Sequence, residues 1–563
     1  MSETTTLPRR PSVRSLPLKA ALRLNHPSDT WFKPALSVVV ASLVPNLLLF
    51  AVDRLDLVMY TMAGSLCALY GHALPYARRA GTVARVVVGM IAGLAVSLVV
   101  GSLTDSTAIL IAVGALLAAV QKALCDASRI GPPGHVIFTF VTSAALFAPQ
   151  HLGQVPGHLA LTLAAGAFSW CVTVGPALLR REGPERRATA RALDAAAACV
   201  ADPGPRTRAA AAAAVHGAWQ TLLASGRATP ARRALERLVV HAEAALAESS
   251  PSGHRAAADP AHLREWAALT RARGPVPEPP AAPGTTAELF GIDAERAGRR
   301  ARTTRGELLR RLGPGSHVLP VVVRTLIGCA LAGYACEALG VGRPYWAIVT
   351  AASLYQANVT LSWNRALQRT LGNLLGALVF AAVLPLSRVS PLLLIACCLC
   401  FNFAAEALIT RNYWLGSIAV TPMALLVIEF GGTHPAGELI GDRVIDTVVG
   451  AVVGFLAAVL VTNRRATGRV ERALEAAERA RAHAVRVLAD SAAGPAELDA
   501  SRRGLTASLV ELREAGDTAA GEWWQRALPE EDLVAAERAG HRTLAATAQR
   551  QGLISLAPEN GAV

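Results

Sequence analysis

Arg365 and Arg369 stand four residues apart in SWNRALQRTLGNLLGAL, inside an otherwise apolar stretch. Residues four apart share one face of a helix. Two guanidiniums on one face form a fork suited to a carboxylate. Asn373 continues that face, and Tyr345 and Trp346 precede it in RPYWAIVTAASLYQA. These five residues are the candidate substrate path, with the arginines as an anion-attracting entrance. The competing reading makes them topology anchors whose heads snorkel to lipid phosphate. Tyr345 and Trp346 are expected at the external interface as aromatic-belt anchors, with stacking on an aromatic substrate as the sharper alternative.

A second set, Asn402, Glu406, Arg443 and Asp446, with Arg324 beside it, also places ionisable groups in apolar stretches. Such groups are costly in lipid and face a cavity or a partner. Glu406, one turn beyond Asn402, is the stronger candidate for a proton relay. Arg443 and Asp446 are three apart, so a local ion pair is expected there. Thr421-Pro422 interrupts a span and frees a backbone carbonyl, which can kink the helix or line a pathway.

Other chemistries are excluded by what is missing. There is no Gly-Lys dipeptide, and so no phosphate-binding loop; no HExxH helix and no GxSxG elbow occur either. The nine cysteines lie mostly in apolar stretches, where cysteine acts as a small hydrophobe. Cys397-Cys398-x-Cys400 fits no zinc spacing. The expectation is a chain that is not an enzyme and has no metal or cofactor. The net charge of +14 sits in short basic clusters beside apolar segments, as topology signals do, so no nucleic-acid partner is expected.

The elements that must position these residues follow from hydropathy. Only 17% of the 563 residues are charged and 52% are hydrophobic, against about 25% charged in a soluble domain. A bilayer core needs ~20 apolar residues of helix. Such helices are expected near 34–52, 55–73, 84–102, 106–124, 133–149 and 158–180. A second set falls near 317–340, 344–358, 366–386, 389–409, 413–430 and 438–462. Segments 133–149 and 344–358 are short for a span. The first apolar run reads as a retained helix rather than a cleaved signal.

Basic residues recur in every second connection: Arg9, Arg10, Arg14 and Lys19, then Arg78-Arg79, Lys122 with Arg129, and Arg180-Arg181. The second half continues with Arg310-Arg311, Arg365 with Arg369, Arg411 and Arg464-Arg465. The positive-inside rule puts both termini and the middle region in the cytoplasm. Five regions result: a cytoplasmic segment 1–33, a first bundle 34–180, and a cytoplasmic helical region 181–315 with the Pro-rich linker 275–284. A second bundle 316–463 and a cytoplasmic helical tail 464–563 complete the chain. Leu235, Leu238, Val239 and Ala242, and in the tail Leu488, Leu505, Leu509, Leu512 and Leu528, mark the apolar contacts of those helices. The fold class is all-α membrane protein: two repeated six-helix halves, each followed by a cytoplasmic helical region.

The halves share a pattern. Each pairs a Ser-Leu element (Ser65-Leu66, Ser353-Leu354) with an Arg early in the next helix and a small-xxx-small stripe. Those stripes are Gly89-x3-Gly93 and Gly372-x3-Gly376. They and Gly450-x3-Gly454 let helices approach closely in lipid, within a chain or between chains. A homo-oligomer is therefore left open.

The segment YWAIVTAASLYQANVTLSWNRALQRTLGNLLGAL (345–378) closely resembles the signature of the FUSC family of fusaric acid resistance and aromatic acid exporter proteins. NYWLGSIAVTPMALL (412–426) and DRVIDTVVGAVVGF (442–455) resemble its later helices. The first half has no Tyr-Trp entry and one Arg where the second has two. The resemblance implies an inner-membrane, ion-gradient-driven efflux carrier for small aromatic or other organic acids. An anion channel of the same superfamily, or a scaffold recruiting a cytoplasmic partner, is the alternative.

Overall fold

The computed structural model describes residues 21–24, 31–128, 130–180, 182–225, 229–248, 259–272, 274–278, 318–356, 358–461, 466–521 and 530–550. Several sequence expectations lie outside the described residues: Arg9, Arg10, Arg14 and Lys19; Arg129 and Arg181; linker positions 279–284; Arg310-Arg311; Arg464-Arg465; and Leu528.

The described secondary structure is helical. The first apolar set is α1 (Phe32–Ala51), α2 (Val58–Ser65, prolonged by a 3-10 turn Leu66–Leu69), α3 (Tyr76–Leu103), α4 (Thr107–Ser128), α5 (Val136–Leu146) and α6 (Val155–Val174). Four polar helices follow: α7 (Gly183–Ala201), α8 (Pro205–Ala224), α9 (Pro230–Glu248) and α10 (Pro260–Arg271). The second apolar set is α11 (Val318–Ala338), α12 (Tyr345–Leu354), α13 (Val359–Ser387), α14 (Pro391–Ile409), α15 (Tyr413–Glu429) and α16 (Ala436–Leu460). The tail is α17 (Ala466–Ala489), α18 (Pro495–Ala520) and α19 (Glu530–Arg550).

Eight of these segments are long and apolar enough to cross a bilayer, and four shorter apolar helices (α2, α5, α12 and α15) lie between them. The chain is an integral membrane protein. The short helices are the second and fifth of each set. All ten residues of α12 are buried, so protein rather than lipid surrounds it, and a short helix suffices.

Caps fix where several helices begin. Asn358 accepts a hydrogen bond from the Leu361 amide, Ser390 from Leu393, and Asn412 from Trp414, satisfying amides that a first turn leaves open. The Asn358 cap starts α13 seven residues before the expected 366. Arg365 and Arg369 therefore sit in the second and third turns rather than at the helix end.

Within each set the third helix packs on the fifth and sixth, and the second on the sixth. The glycine stripes do this packing inside the chain. A Cβ on Gly372 would lie 2.4 Å from Ser417 Cβ of α15, and one on Gly450 would lie 2.9 Å from the Ala347 carbonyl of α12. Between the sets, α4 packs on α11, α1 on α14, and α5 on α12. Tyr334 Oη donates to the Ala108 carbonyl across this boundary at 3.0 Å.

The polar helices form two small cores. Leu193, Val215, Trp219, Leu235 and Leu238 centre the first, and Leu505, Leu509, Leu512 and Leu544 the second. A buried ionic joint locks them together where α8 meets α18 and α9 meets α19. Asp499 accepts from Arg502 and from Arg503, each at 2.7 Å. Arg502 lies 3.4 Å from Glu243, which takes the Trp219 indole N–H at 3.1 Å. Arg503 stacks 5.5 Å above the Trp219 ring.

His541 borders this joint beside Glu243 and Arg502. Burial, with Arg208 adding to it, pushes His541 down to about 4 from its ordinary 6.5. A depressed imidazole contributes stability that is intact above the unfolded value and is lost as pH falls through the folded one. Thermal melts should therefore weaken between those two values, and His541→Leu should flatten that slope. An unchanged slope in the variant would refute the assignment.

Candidate functional site

A cavity of about 1700 Å³ runs from the polar helices into the membrane bundle. Nine cations line it: Arg23, Lys122, Arg187, Arg191, Arg365, Arg369, Arg443, Arg469 and Arg472. Three carboxylates stand against them, Asp126, Glu406 and Glu514, and Asp126 is already held by Lys122 at 2.9 Å. The excess charge attracts anions, and apolar walls strengthen its field.

Three guanidiniums form the inner part, each held by an aromatic side chain. Arg365 lies 3.8 Å over the ring of Tyr413, and Arg369 donates to the Tyr413 hydroxyl at 2.8 Å. One tyrosine thus holds both members of the fork. Arg443 lies 4.0 Å over Trp346, and Trp346 stacks on Phe140 of α5 at 5.5 Å. Buried guanidinium faces prefer aromatic rings because the ring offers negative charge without protonation chemistry. Arg369 Nε, Arg443 Nε and Nη1, and Asn402 Nδ2 have no hydrogen-bond partner in the protein. These four donor atoms remain for a ligand or water. Glu406 also lines the cavity, and none of the ion pairs among the described residues involves it.

Of the sequence candidates, the cavity brings together Trp346, Arg365, Arg369, Asn402, Glu406 and Arg443. Tyr345, Asn373 and Asp446 lie off it. Asn373 instead braces three helices, donating to Thr447 Oγ1 at 3.1 Å and accepting from Thr421 Oγ1 at 2.9 Å. Tyr345 packs against Phe147, just past the end of α5, at 5.7 Å.

Two expectations are corrected. Tyr345 and Trp346 are 8% and 2% exposed, so they form a seam between the membrane sets and no belt at the lipid surface; α12 is encased on every side. No ion pair joins Arg443 to Asp446: the guanidinium turns to Trp346, and neither carboxylate oxygen of Asp446 accepts a hydrogen bond.

Arg324 and Arg79 have structural tasks. Arg324 donates through Nε to the Val461 carbonyl just past the end of α16, and Arg79 donates to the Thr173 carbonyl near the end of α6 at 3.2 Å. A cation at a helix C-terminus satisfies open carbonyls and complements the helix dipole. Sequence reasoning missed Tyr413, Phe140 and the basic rim from the polar helices. Tyr413 had one signal, its place directly after a capping Asn at the mouth of a span. Among the described residues no cluster of His, Cys, Asp and Glu is arranged to hold a metal.

Fold and site together define a polytopic helical membrane protein with a basic, aromatic-braced central cavity. Residues 325–457, which hold Trp346, Arg365, Arg369, Glu406 and Arg443, match the family described as fusaric acid resistance protein-like. The chain is also similar to the uncharacterized membrane protein YvaC of Bacillus subtilis (strain 168), 30% identical over 209 residues. That similarity covers 36% of this chain and 32% of YvaC, so the chain matches about a third of the relative's length. No solved structure is detectably similar.

Proposed function

We propose that the chain is an ion-gradient-driven carrier exporting small aromatic or other organic acids across the bacterial cytoplasmic membrane. In this reading its membrane part is two repeated six-helix halves, with both termini and the polar helices in the cytoplasm. The observation that carries the proposal is the cavity itself: three aromatic-braced guanidiniums, two of them with unpartnered donors, reached through a basic rim. A carboxylate entering it exchanges water for charge-assisted hydrogen bonds, and an aromatic body finds Trp346 and Phe140 on the wall. The parallel helix pairings of the two sets support the repeat, because duplicated halves commonly place a substrate path where they meet. Glu406, the carboxylate of the cavity's membrane part left without a cation, is the group we assign to proton coupling.

The test is accumulation of a hydroxybenzoate-type acid in cells with and without this chain, with and without a protonophore. Expression should lower intracellular acid, and the protonophore should erase the difference. Equal accumulation in all four conditions would refute a carrier. A conductance in planar bilayers driven by the anion gradient alone would favour the channel reading.

A further inference from the structure

We propose that the end of the first membrane set carries a binding site for the phosphate of an anionic lipid headgroup, formed by Lys33, Arg180 and Arg187 with the Tyr76 hydroxyl. These residues come from four places in the sequence: the first turn of α1, the start of α3, the connection after α6, and α7. Tyr76, Arg180 and Arg187 gather around the buried Gly183. An atom in its Cβ position would lie 3.6 Å from Arg187 Nη1, 3.7 Å from Tyr76 Oη and 3.8 Å from Arg180 Cβ. Lys33 lies within electrostatic reach of both Arg187 and Arg180.

Among the described residues no ion pair neutralises this group. Among them the side chains of Lys33, Arg180 and Arg187 take part in no ion pair and no hydrogen bond, and none of the three belongs to the residues with further partners. The nearby carboxylate of Glu185 is engaged elsewhere, accepting from Ser225 at 2.8 Å and lying 3.5 Å from Arg232. Arg79, the fourth cation of the neighbourhood, is spent on the carbonyls of His72, Leu74 and Thr173. Clustered cations without counter-charge repel one another, and a phosphate among them relieves that repulsion.

The source of the phosphate is argued from the two residues before Arg180. Leu178 and Leu179 are 87% and 88% exposed, more than any other large apolar side chain described, and they directly follow a membrane-spanning segment. In lipid such leucines meet acyl chains while the cations stand at headgroup depth, which is how basic pockets at helix ends hold anionic lipids. A free phosphate would use the cations and have no use for the leucines.

Native mass spectrometry of the full chain, with phosphatidylglycerol or phosphatidylcholine of matched chains, tests this. The protein should retain phosphatidylglycerol preferentially. Each of Lys33→Gln and Arg180→Gln should weaken retention about fivefold, and the triple variant with Arg187→Gln roughly a hundredfold. Arg180→Lys should keep most of it. Because the triple variant can misfold, the graded single variants, each required to elute as a single species, carry the test independently. Leu178→Ser with Leu179→Ser should weaken lipid retention as well. Equal retention of the two lipids, or phosphatidylglycerol binding unmoved by the cation changes, overturns the site. Displacement by millimolar inorganic phosphate, with no effect of the leucine changes, assigns the cluster to a soluble phosphate and overturns the lipid.

Discussion

Replacing Arg365 and Arg369 together by Gln is expected to abolish export while leaving the protein in the membrane. Both guanidiniums line the cavity, and each charge-assisted hydrogen bond contributes about 1.5–3 kcal/mol. Losing two should weaken anion binding at least a hundredfold, read as restored accumulation of the acid in cells and as lost binding to the purified protein. Tyr413→Phe separates the pair. It removes the hydroxyl that Arg369 donates to but keeps the ring beneath Arg365, so its effect should fall between the wild type and the double variant. The scaffold reading predicts the opposite ordering, with the double variant fully active and deletion of 464–563 inactivating. Undiminished export by the double variant would end the carrier proposal.

Asp499→Ala is expected to destabilise the polar helices by about 3–5 kcal/mol, the usual cost of removing one partner from a buried ion pair. Asp499 is fully buried and holds two arginines at once, so its loss leaves two cations facing each other away from water. Thermal unfolding in detergent should shift well below the wild type, and limited proteolysis should open α17–α19 first. Combining Asp499→Leu with Arg502→Met, Arg503→Leu and Glu243→Gln, which keeps an acceptor for the Trp219 indole, should recover much of the loss, because groups of similar volume without charge often replace buried ion clusters without penalty. If the single change leaves the melting curve in place, the joint does not hold the two cores together.

Legibility differed sharply between the levels of structure. Hydropathy located every apolar helix, most ends to within a few residues but the starts of α3 and α13 eight and seven residues late, since a run of some twenty apolar residues has few other uses. The spacing of Arg365 and Arg369 gave their shared face, because a four-residue interval is a local property of helices. Their common partner was invisible: Tyr413 is brought over by the packing of α15 on α13, where Gly372 and Gly376, far from Tyr413 in sequence, let the backbones meet. Arg443 and Asp446 show how a local rule fails. Their three-residue spacing permits a pair, yet Trp346, from another helix, offers the guanidinium a ring. Trp346 misled for a related reason. Aromatic residues at the start of an apolar run mark an interface in an isolated span, but α12 is surrounded by other helices. The joint around Asp499 draws on α8, α9 and α18, a combination no pattern along one helix can announce.

The far end of α18 bears directly on the cavity. Its closing carbonyl, at Gly521, accepts from both the amide and the hydroxyl of Thr360, at 3.1 and 2.8 Å, and its Thr518 carbonyl accepts from Asn358 Nδ2 at 3.2 Å. The negative pole of one helix thereby rests on the positive pole of another, the one that bears Arg365 one turn further on. The tail is spliced to the cavity-lining helix like a tiller to its rudder. Whatever tilts the 26-residue α18, a strut about 39 Å long, must also steer the mouth of the channel-like void.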